Sequence, residues 1–420
     1  MNHPEVGPAP LHHSNLRPML NTPFPPWPSF TEEEAEAVAR ILRSNQVNYW
    51  TGTEGRAFEC EFAAWCGTSY AIALSNGTVA LELALQGLGI GLGDEVVVTP
   101  RSFMASASCV VTVGATPVFA EVDREAGNLT AATIEAVLTP RTRAIIAVHL
   151  AGWPCDMDPI LDLARTHNLK VIEDCAQAHG ARYKGRPVGS IGDIGAWSFC
   201  QDKIMTTGGE GGMLTLNDEA LWRRLWSLKD HGKSYEAVYE RDHPTGFRWL
   251  HEGFGTNARM IEMQAAIGRI QLRRMEAWTK TRTQNAQALT EALAPFSGSD
   301  GPIRIPQHRC ANCSCDNACA HAWYKFYAYV RPEHLAAGWN RDRVMEEIVA
   351  RGVPCYQGSC SEIYLEKAWE GTGSRPKERF PIAQELGETS LMFLVHPTLR
   401  PDDLYVMREV LPLVLTLAWK

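Results

Sequence analysis

From position 70 onward, short apolar runs alternate with longer segments of mixed polarity. The runs at 70–74, 95–99, 117–122, 144–148, 171–173, 196–199 and 212–216 are apolar at consecutive positions, the pattern of strands covered on both faces. Between them, 79–87, 102–114, a stretch from Ala131, and 158–167 carry helical spacing. The alternation predicts an α/β fold with a mainly parallel seven-stranded sheet, whose ligands gather at the carboxyl ends of the strands. Upstream, 31–43 reads as a helix with Thr31 as N-cap and Glu32, Glu33 and Glu34 in its first turn. Residues 1–30 hold eight of the 25 prolines and read as an arm with little to bury. A long helical region, 257–295, follows the last strand. Residues 296–420 have their own strand, 321–330, and helices near 341–351 and 402–417. The predicted organisation is an arm at 1–30, a large domain at 31–295 and a smaller α+β domain at 296–420. The apolar run 410–419 is about half a membrane span, contains Pro412 and reads as a packed terminal helix.

The breaks in the apolar pattern carry the chemistry. One strand ends in Glu173-Asp174, side chains that alternation sends to opposite sides. Lys203 follows 29 residues later, between Ser198-Phe199 and the run Gly208-Gly209-Glu210-Gly211-Gly212. Pyridoxal phosphate needs such a set: a lysine to hold it covalently, an acid for its ring nitrogen, and small or hydroxyl residues for its phosphate. Ser75-Asn76-Gly77-Thr78 lies where a strand gives way to a helix, and free N–H groups there favour a dianion. Each part has a plainer reading: Asp174 as a turn or helix cap, Asn76-Gly77-Thr78 as an N-cap, Phe103 as core. The ordered set is what points to the cofactor. The glycines at 87–93 fall after a helix and before a strand, the wrong context for a dinucleotide fingerprint.

Composition narrows the partners. The formal net charge is −8 and no basic run appears, which argues against nucleic acid and anionic membrane. No charged segment followed by an apolar one opens the chain, so no signal peptide is expected. Of 12 cysteines, eight are scattered through apolar segments, which suggests a reducing cytoplasm. Cys310, Cys313, Cys315 and Cys319 cluster between His308 and His321. Their C-x2-C-x-C-x3-C spacing fits no standard zinc or iron–sulfur pattern, and a loop without metal or disulfide is the expectation.

Together these residues resemble the DegT/DnrJ/EryC1/StrS family of pyridoxal-phosphate aminotransferases, of fold type I. The resemblance runs from about residue 30 to the C-terminus. It is carried by Leu74-Ser75-Asn76-Gly77-Thr78-Val79-Ala80-Leu81, Gly93-Asp94-Glu95-Val96, Glu173-Asp174-Cys175-Ala176-Gln177-Ala178-His179-Gly180, the stretch from Ser198 through Lys203 to Gly212, and Gly255-Thr256-Asn257-Ala258-Arg259-Met260 leading into Gln264-Ala265-Ala266-Ile267-Gly268. By this resemblance Lys203 matches the lysine that holds the cofactor and Asp174 the partner of its ring nitrogen. Gln177 matches the neighbour of its phenolic oxygen, Gly77, Thr78 and Ser198 its phosphate contacts, and Phe103 the aromatic stacked on its ring. Asn257 matches a phosphate contact supplied by a second subunit, which implies a homodimer. Some relatives with histidine in place of the lysine are dehydratases; Lys203 keeps this chain with the transaminases. Gly209 is an extra glycine before Glu210, and Thr256 and Ala258 stand where bulkier aromatics are common.

The resemblance implies transfer of an amino group from L-glutamate or L-glutamine to a keto sugar on a nucleotide, or to a keto cyclitol. Arg101, His231, Arg259 and Lys325 are candidates for anionic groups of donor or acceptor. Two other classes compete: a regulator that kept the pocket, and a lyase or decarboxylase on the same fold. A regulator needs no proton-moving lysine, which weighs against the first.

Overall fold

The computed structural model describes residues 23–242, 245, 248–308 and 319–420. The apolar runs become β1 (Tyr70–Leu74), β2 (Glu95–Val98), β3 (Thr116–Phe119), β4 (Thr142–Val148) and β5 (Lys170–Asp174). A short hairpin, β6 (Arg182–Tyr183) and β7 (Arg186–Pro187), precedes β8 (Ile194–Ser198) and β9 (Gly212–Leu216). β1 to β5, β8 and β9 form one seven-stranded sheet in the order β1-β9-β8-β5-β4-β2-β3. Neighbours from β8 to β3 are parallel, and only β9 is antiparallel to its neighbours, so β1 ends at the same edge as the others. Every residue of β2 and β8 is buried, which is why the strands read as unbroken apolar runs.

The helices cover both faces. They are α1 (Glu32–Ser44), α2 (Glu54–Cys66), α3 (Gly77–Gly87), α4 (Ala105–Thr112), α5 (Ala131–Glu135), α6 (Met157–His167), α7 (Glu219–Lys229), α8 (Tyr235–Tyr239) and α9 (Glu262–Leu293). Val96 and Val98 of β2 pack with Leu81 and Leu85 of α3 and Leu225 of α7. Val97, between them, packs on the opposite face with Ile160 of α6. A third cluster joins Phe58 and Phe62 of α2 to Trp197, Phe199 and Met275.

α9 has 32 residues, about 48 Å of helix. Ala265 and Leu272 near its start belong to the large-domain core, while Ala286, Leu289 and Leu293 near its end belong to the small-domain core. That second core is built on β10 (Ile303–Arg304), β11 (Phe326–Val330), β12 (Cys355–Tyr356) and β13 (Ser390–Phe393), an antiparallel sheet ordered β10-β11-β13-β12. α10 (Arg341–Ala350) and α12 (Pro401–Ala418) pack on it, and α11 (Pro381–Thr389) flanks β11.

Several limits move from their expected places. The region 257–295 becomes helical only at Glu262, because 257–260 runs beside the end of β1 and Ser75 N–H bonds Ala258 C=O at 2.9 Å. The strand expected at 321–330 starts at Phe326, since Trp323 has φ 51° and leaves extended geometry. α2 was not anticipated; its buried stripe Phe58, Phe62 and Cys66 follows helical spacing, and the Glu262 carboxylate accepts N–H bonds from Glu54 and Gly55 at its start. Residues 23–28 are docked rather than a free arm: Arg400 bonds Pro23 C=O at 3.0 Å and Thr398 bonds Pro26 C=O at 3.1 Å. Among the described residues, no helix is long and apolar enough to cross a membrane.

Candidate active site

The carboxyl ends of β1, β5 and β8 open into a cavity of ≈ 1280 Å³. Gly77, Thr78, Phe103, Asp174, Gln177, Ser198 and Lys203 all line it, so residues 126 positions apart meet in one place. The small domain and the docked segment 24–27 close the far side. Asn257 does not line the cavity of its own chain; it is exposed and bridges Asp230 through the backbone.

One end is shaped by close backbone packing. Asn76 is the N-cap of α3, its Oδ1 accepting the Val79 N–H at 2.9 Å. The cap reading therefore holds for Asn76, while Gly77 and Thr78 occupy the first turn with their N–H groups toward the positive helix end. A Cβ on Gly77 would stand 2.6 Å from Cβ of Ser198, and one on Gly212 2.3 Å from Asn76 C=O. Only glycine lets α3, β8 and β9 approach so closely, and the result is a small cradle beside the Ser198 hydroxyl.

Asp174, at the end of β5, is 4% exposed. Its Oδ2 accepts from the Ser106 hydroxyl at 2.8 Å, and its Oδ1 from the Ala176 N–H at 3.1 Å. Ser106 is in turn 2.8 Å from Ser102. Gln177 is held by its Oε1, which accepts the Ala151 N–H at 2.8 Å. Glu173 faces away. It accepts N–H bonds from Gly189, Ile191 and Gly192 at 2.9, 2.7 and 2.7 Å and lies 3.0 Å from His149 Nε2. Burial pushes its carboxyl up, but His149 and these N–H groups outweigh that and hold it below the ordinary value. His149 Nδ1 accepts the Cys155 N–H at 3.0 Å. His149, Glu173 and Cys175 are close enough to hold a metal, yet the imidazole and carboxylate lone pairs are already engaged. The group is a hydrogen-bonded post under the end of β5.

Lys203 projects from the loop after β8. Its carbonyl accepts the Trp27 indole N–H at 2.8 Å, and its ammonium is 3.7 Å from Asp202 and 5.2 Å from the centre of the Tyr324 ring. The Tyr324 hydroxyl donates to Asp202. Burial would raise Asp202, but Lys203, the Tyr324 hydroxyl and Lys325 outweigh it and hold the carboxyl below its usual range. Burial and the neighbouring carboxylate drive Tyr324 well up, so it remains a donor. His396, in the same wall, stacks on Trp27 at 6.0 Å, and burial with the charges of Arg282 and Lys325 lowers it to about 3. Beyond Lys203, Gly208 and Gly209 take φ of 86° and 121°, values that side chains rarely adopt, to bring Glu210 to the cavity. The extra glycine thus serves the turn.

Of the four anion candidates, only Lys325 lines the cavity. Arg101 is fully buried behind the wall, bonded to the Tyr329 hydroxyl at 3.4 Å and set against the Tyr327 and Tyr329 rings. Arg259 pairs with Asp230 at 2.7 Å, and His231 is exposed away from the cavity. Cys310, Cys313 and Cys315 lie outside the described residues. Cys319 is disulfide-bonded, a correction to the expectation of free thiols. His321 is buried and stacked on Trp323 at 3.8 Å, its Nδ1 accepting the Trp323 N–H. Trp27, Ser106, Asp202, Tyr324 and His396 were not singled out from the sequence, although Asp202 immediately precedes Lys203.

Residues 28–411 match the DegT/DnrJ/EryC1/StrS aminotransferase family. The chain is 42% identical to the UDP-N-acetyl-3-dehydro-alpha-D-glucosamine 3-aminotransferase of Acidithiobacillus ferrooxidans, over 89% of this chain and 91% of that one. It is 36% identical to the dTDP-3-amino-3,4,6-trideoxy-alpha-D-glucose transaminase of Streptomyces venezuelae, over 90% and 91%. Among solved structures, an aminotransferase from Psychrobacter cryohalolentis superposes with a TM-score of 0.91 at 61% identity, covering 94% of this chain and 99% of that one.

Proposed function

The chain belongs to the DegT/DnrJ/EryC1/StrS aminotransferase family, and we propose that it moves an amino group from L-glutamate or L-glutamine to a keto sugar carried on a nucleotide. The observation that carries this reading is the meeting of Lys203, Asp174 and the α3 cradle in one cavity roomy enough for a cofactor and a sugar nucleotide. The two curated relatives above are named for sugar nucleotides, which supports the acceptor class.

The residues fit pyridoxal phosphate. Gly77, Thr78 and Ser198 would hold its phosphate at the helix start, and Asp174, fixed by Ser106 and Ala176, would face its ring nitrogen. Gln177 would sit by its phenolic oxygen and Phe103 against its ring. When bound, the group supplies an electron sink for the donor's α-carbon. Asp174 would offer the ring nitrogen a carboxylate oxygen to bond. Lys203 would hold the cofactor, and its amine would serve as base and then acid for the donor's α-carbon proton. Asp202, 3.7 Å from the Lys203 ammonium, sets a compensating negative charge beside it.

We further propose a homodimer in which Asn257, exposed on its own subunit, reaches the partner's phosphate. Co-expressed Lys203→Ala and Asn257→Asp chains should regain activity that neither parent shows; no recovery in confirmed mixed dimers would place the whole site within one chain.

The test of the function is a half-reaction screen. Cofactor-loaded protein is mixed with each amino acid while the absorbance of the lysine-bound cofactor is followed. Glutamate or glutamine should convert it to the amine form, and a nucleotide-linked keto sugar should reverse the change. No conversion with any amino acid favours a regulator. Release of ammonia or carbon dioxide without a transferable amine favours a lyase or decarboxylase.

A further inference from the structure

The small-domain wall contains a cation with no assigned task. Lys325 lines the cavity, and among the described residues its ammonium makes no hydrogen bond or ion pair. Its one recorded contact is the Tyr324 ring, 4.9 Å from ammonium to ring centre. Lys203 flanks the same ring at 5.2 Å. Two ammonium groups therefore share one phenol, close enough that each feels the other's charge.

The neighbours of Lys325 do not neutralise it. Asp202 is engaged by the Tyr324 hydroxyl and by Lys203. Arg282 is fully buried beneath Trp27, 5.0 Å from its ring, and adds positive charge. His396 is neutral in the working range and has no hydrogen-bond partner at Nε2. Burial pushes the Lys325 ammonium down to about 8 despite Asp202. A half-desolvated cation without a paired carboxylate is costly until an anion arrives.

We propose that Lys325 receives the α-carboxylate of the amino donor. This rests on the aminotransferase reading above. The α-carboxylate is attached to the carbon whose proton Lys203 moves, so it must bind next to Lys203, where Lys325 stands. A nucleotide diphosphate is several bonds from the reacting carbonyl, so it binds farther from Lys203 than the donor's α-carboxylate does. Arg101, another cation near this wall, is sealed off by the Tyr327 and Tyr329 rings.

The test follows the single-turnover rate of cofactor-loaded protein against the concentration of L-glutamate or L-glutamine, whichever the unmodified chain accepts. Lys325→Met should raise the half-saturating donor concentration by ~30-fold or more, with the limiting rate changed only a few-fold. Lys325→Arg should recover most of the loss. The spectrum and melting temperature of the loaded variants should match those of the parent, which separates lost recognition from lost folding. Return to the resting form should weaken equally with the keto acid of that donor (2-oxoglutarate from glutamate, 2-oxoglutaramate from glutamine) and be unaffected with the keto-sugar acceptor. An unchanged donor dependence in Lys325→Met overturns the proposal, and so does a loss confined to the acceptor arm. If the unmodified chain converts with no amino acid, the aminotransferase reading fails instead.

Discussion

The two walls of the cavity are made in different ways. The large-domain wall is backbone brought close to backbone: glycines at 77 and 212 leave no room for a side chain, and the carboxylate of Asp174 is fixed by a hydroxyl and an N–H from its own domain. The small-domain wall is side chain against side chain. Tyr324, Lys325 and His396 meet Trp27 and Asp202 through one aromatic stack, one hydrogen bond and unpaired charge. On the function proposed above, the first arrangement would fix where a cofactor lies. The second adjusts what is bound beside it, and rotamer changes alone can alter it. Large losses of chemistry should therefore follow changes to the first wall, and graded shifts should follow changes to the second.

The strongest attempt to break this contrast is Lys203→Ala, which should cost at least about 10³-fold in amino transfer. Borohydride reduction of the parent should place the cofactor label on Lys203; a label on Lys229, Lys233 or Lys325 would overturn the assignment of the walls. Asp174→Asn should keep the cofactor but lose roughly 10²-fold or more in the half-reaction, because an amide cannot balance the charge on the ring nitrogen. Near-normal turnover would reduce Asp174 to a cap. In the second wall, Tyr324→Phe removes the hydroxyl that stabilises ionised Asp202, and the expected change is only about 3- to 10-fold in limiting rate with cofactor content unchanged. A loss as large as that of Asp174→Asn would show that the two walls are not separable.

The smallest expected effect concerns stability. His179 is buried against Trp197 and Phe199, and burial together with the charges of Lys203 and Arg282 lowers it to about 3. Between its unfolded value near 6.5 and about 3, the unfolded chain binds the proton that the folded chain refuses. Stability contributed by the neutral ring is thus present above pH 6.5 and is lost as pH falls through that window, by roughly 2 kcal/mol between pH 7 and pH 4.5. Acid titration of the melting temperature of His179→Gln against the parent should give a shallower fall for the variant.

The difference between the walls also explains what could be read from the chain. Seven strands, the edge at which they end, and Asp174 and Lys203 on that edge follow from local apolar runs and their breaks. Gly77 and Thr78 were legible because a strand-to-helix turn has one chemistry wherever it occurs, whereas Ser198, at the end of β8, was picked out by its place in the motif leading to Lys203. The aromatic wall was not legible. Trp27 meets Lys203 across 176 positions and Tyr324 meets Asp202 across 122, and no local pattern encodes such pairs. α2 was missed although Phe58, Phe62 and Cys66 are correctly spaced, because Gly55 and the polar residues between dilute a short stripe. The extended stretch before Glu262 was read as helix because its pairing with the end of β1 is again non-local.

The indole of Trp27 has a practical consequence for cutting the chain. The family match begins at residue 28, one position after the group that bonds the Lys203 carbonyl. A fragment trimmed to the matched range would keep every strand and every residue of the cradle. It would nevertheless lose the stack on His396, the cover over Arg282 and the anchor of the Lys203 loop. A purification tag joined at residue 28 would sit at the mouth of the cavity itself. The safer boundary lies before Pro23, whose carbonyl is already tied to Arg400, so that a protease cutting upstream of it meets a segment still fastened to the body of the protein.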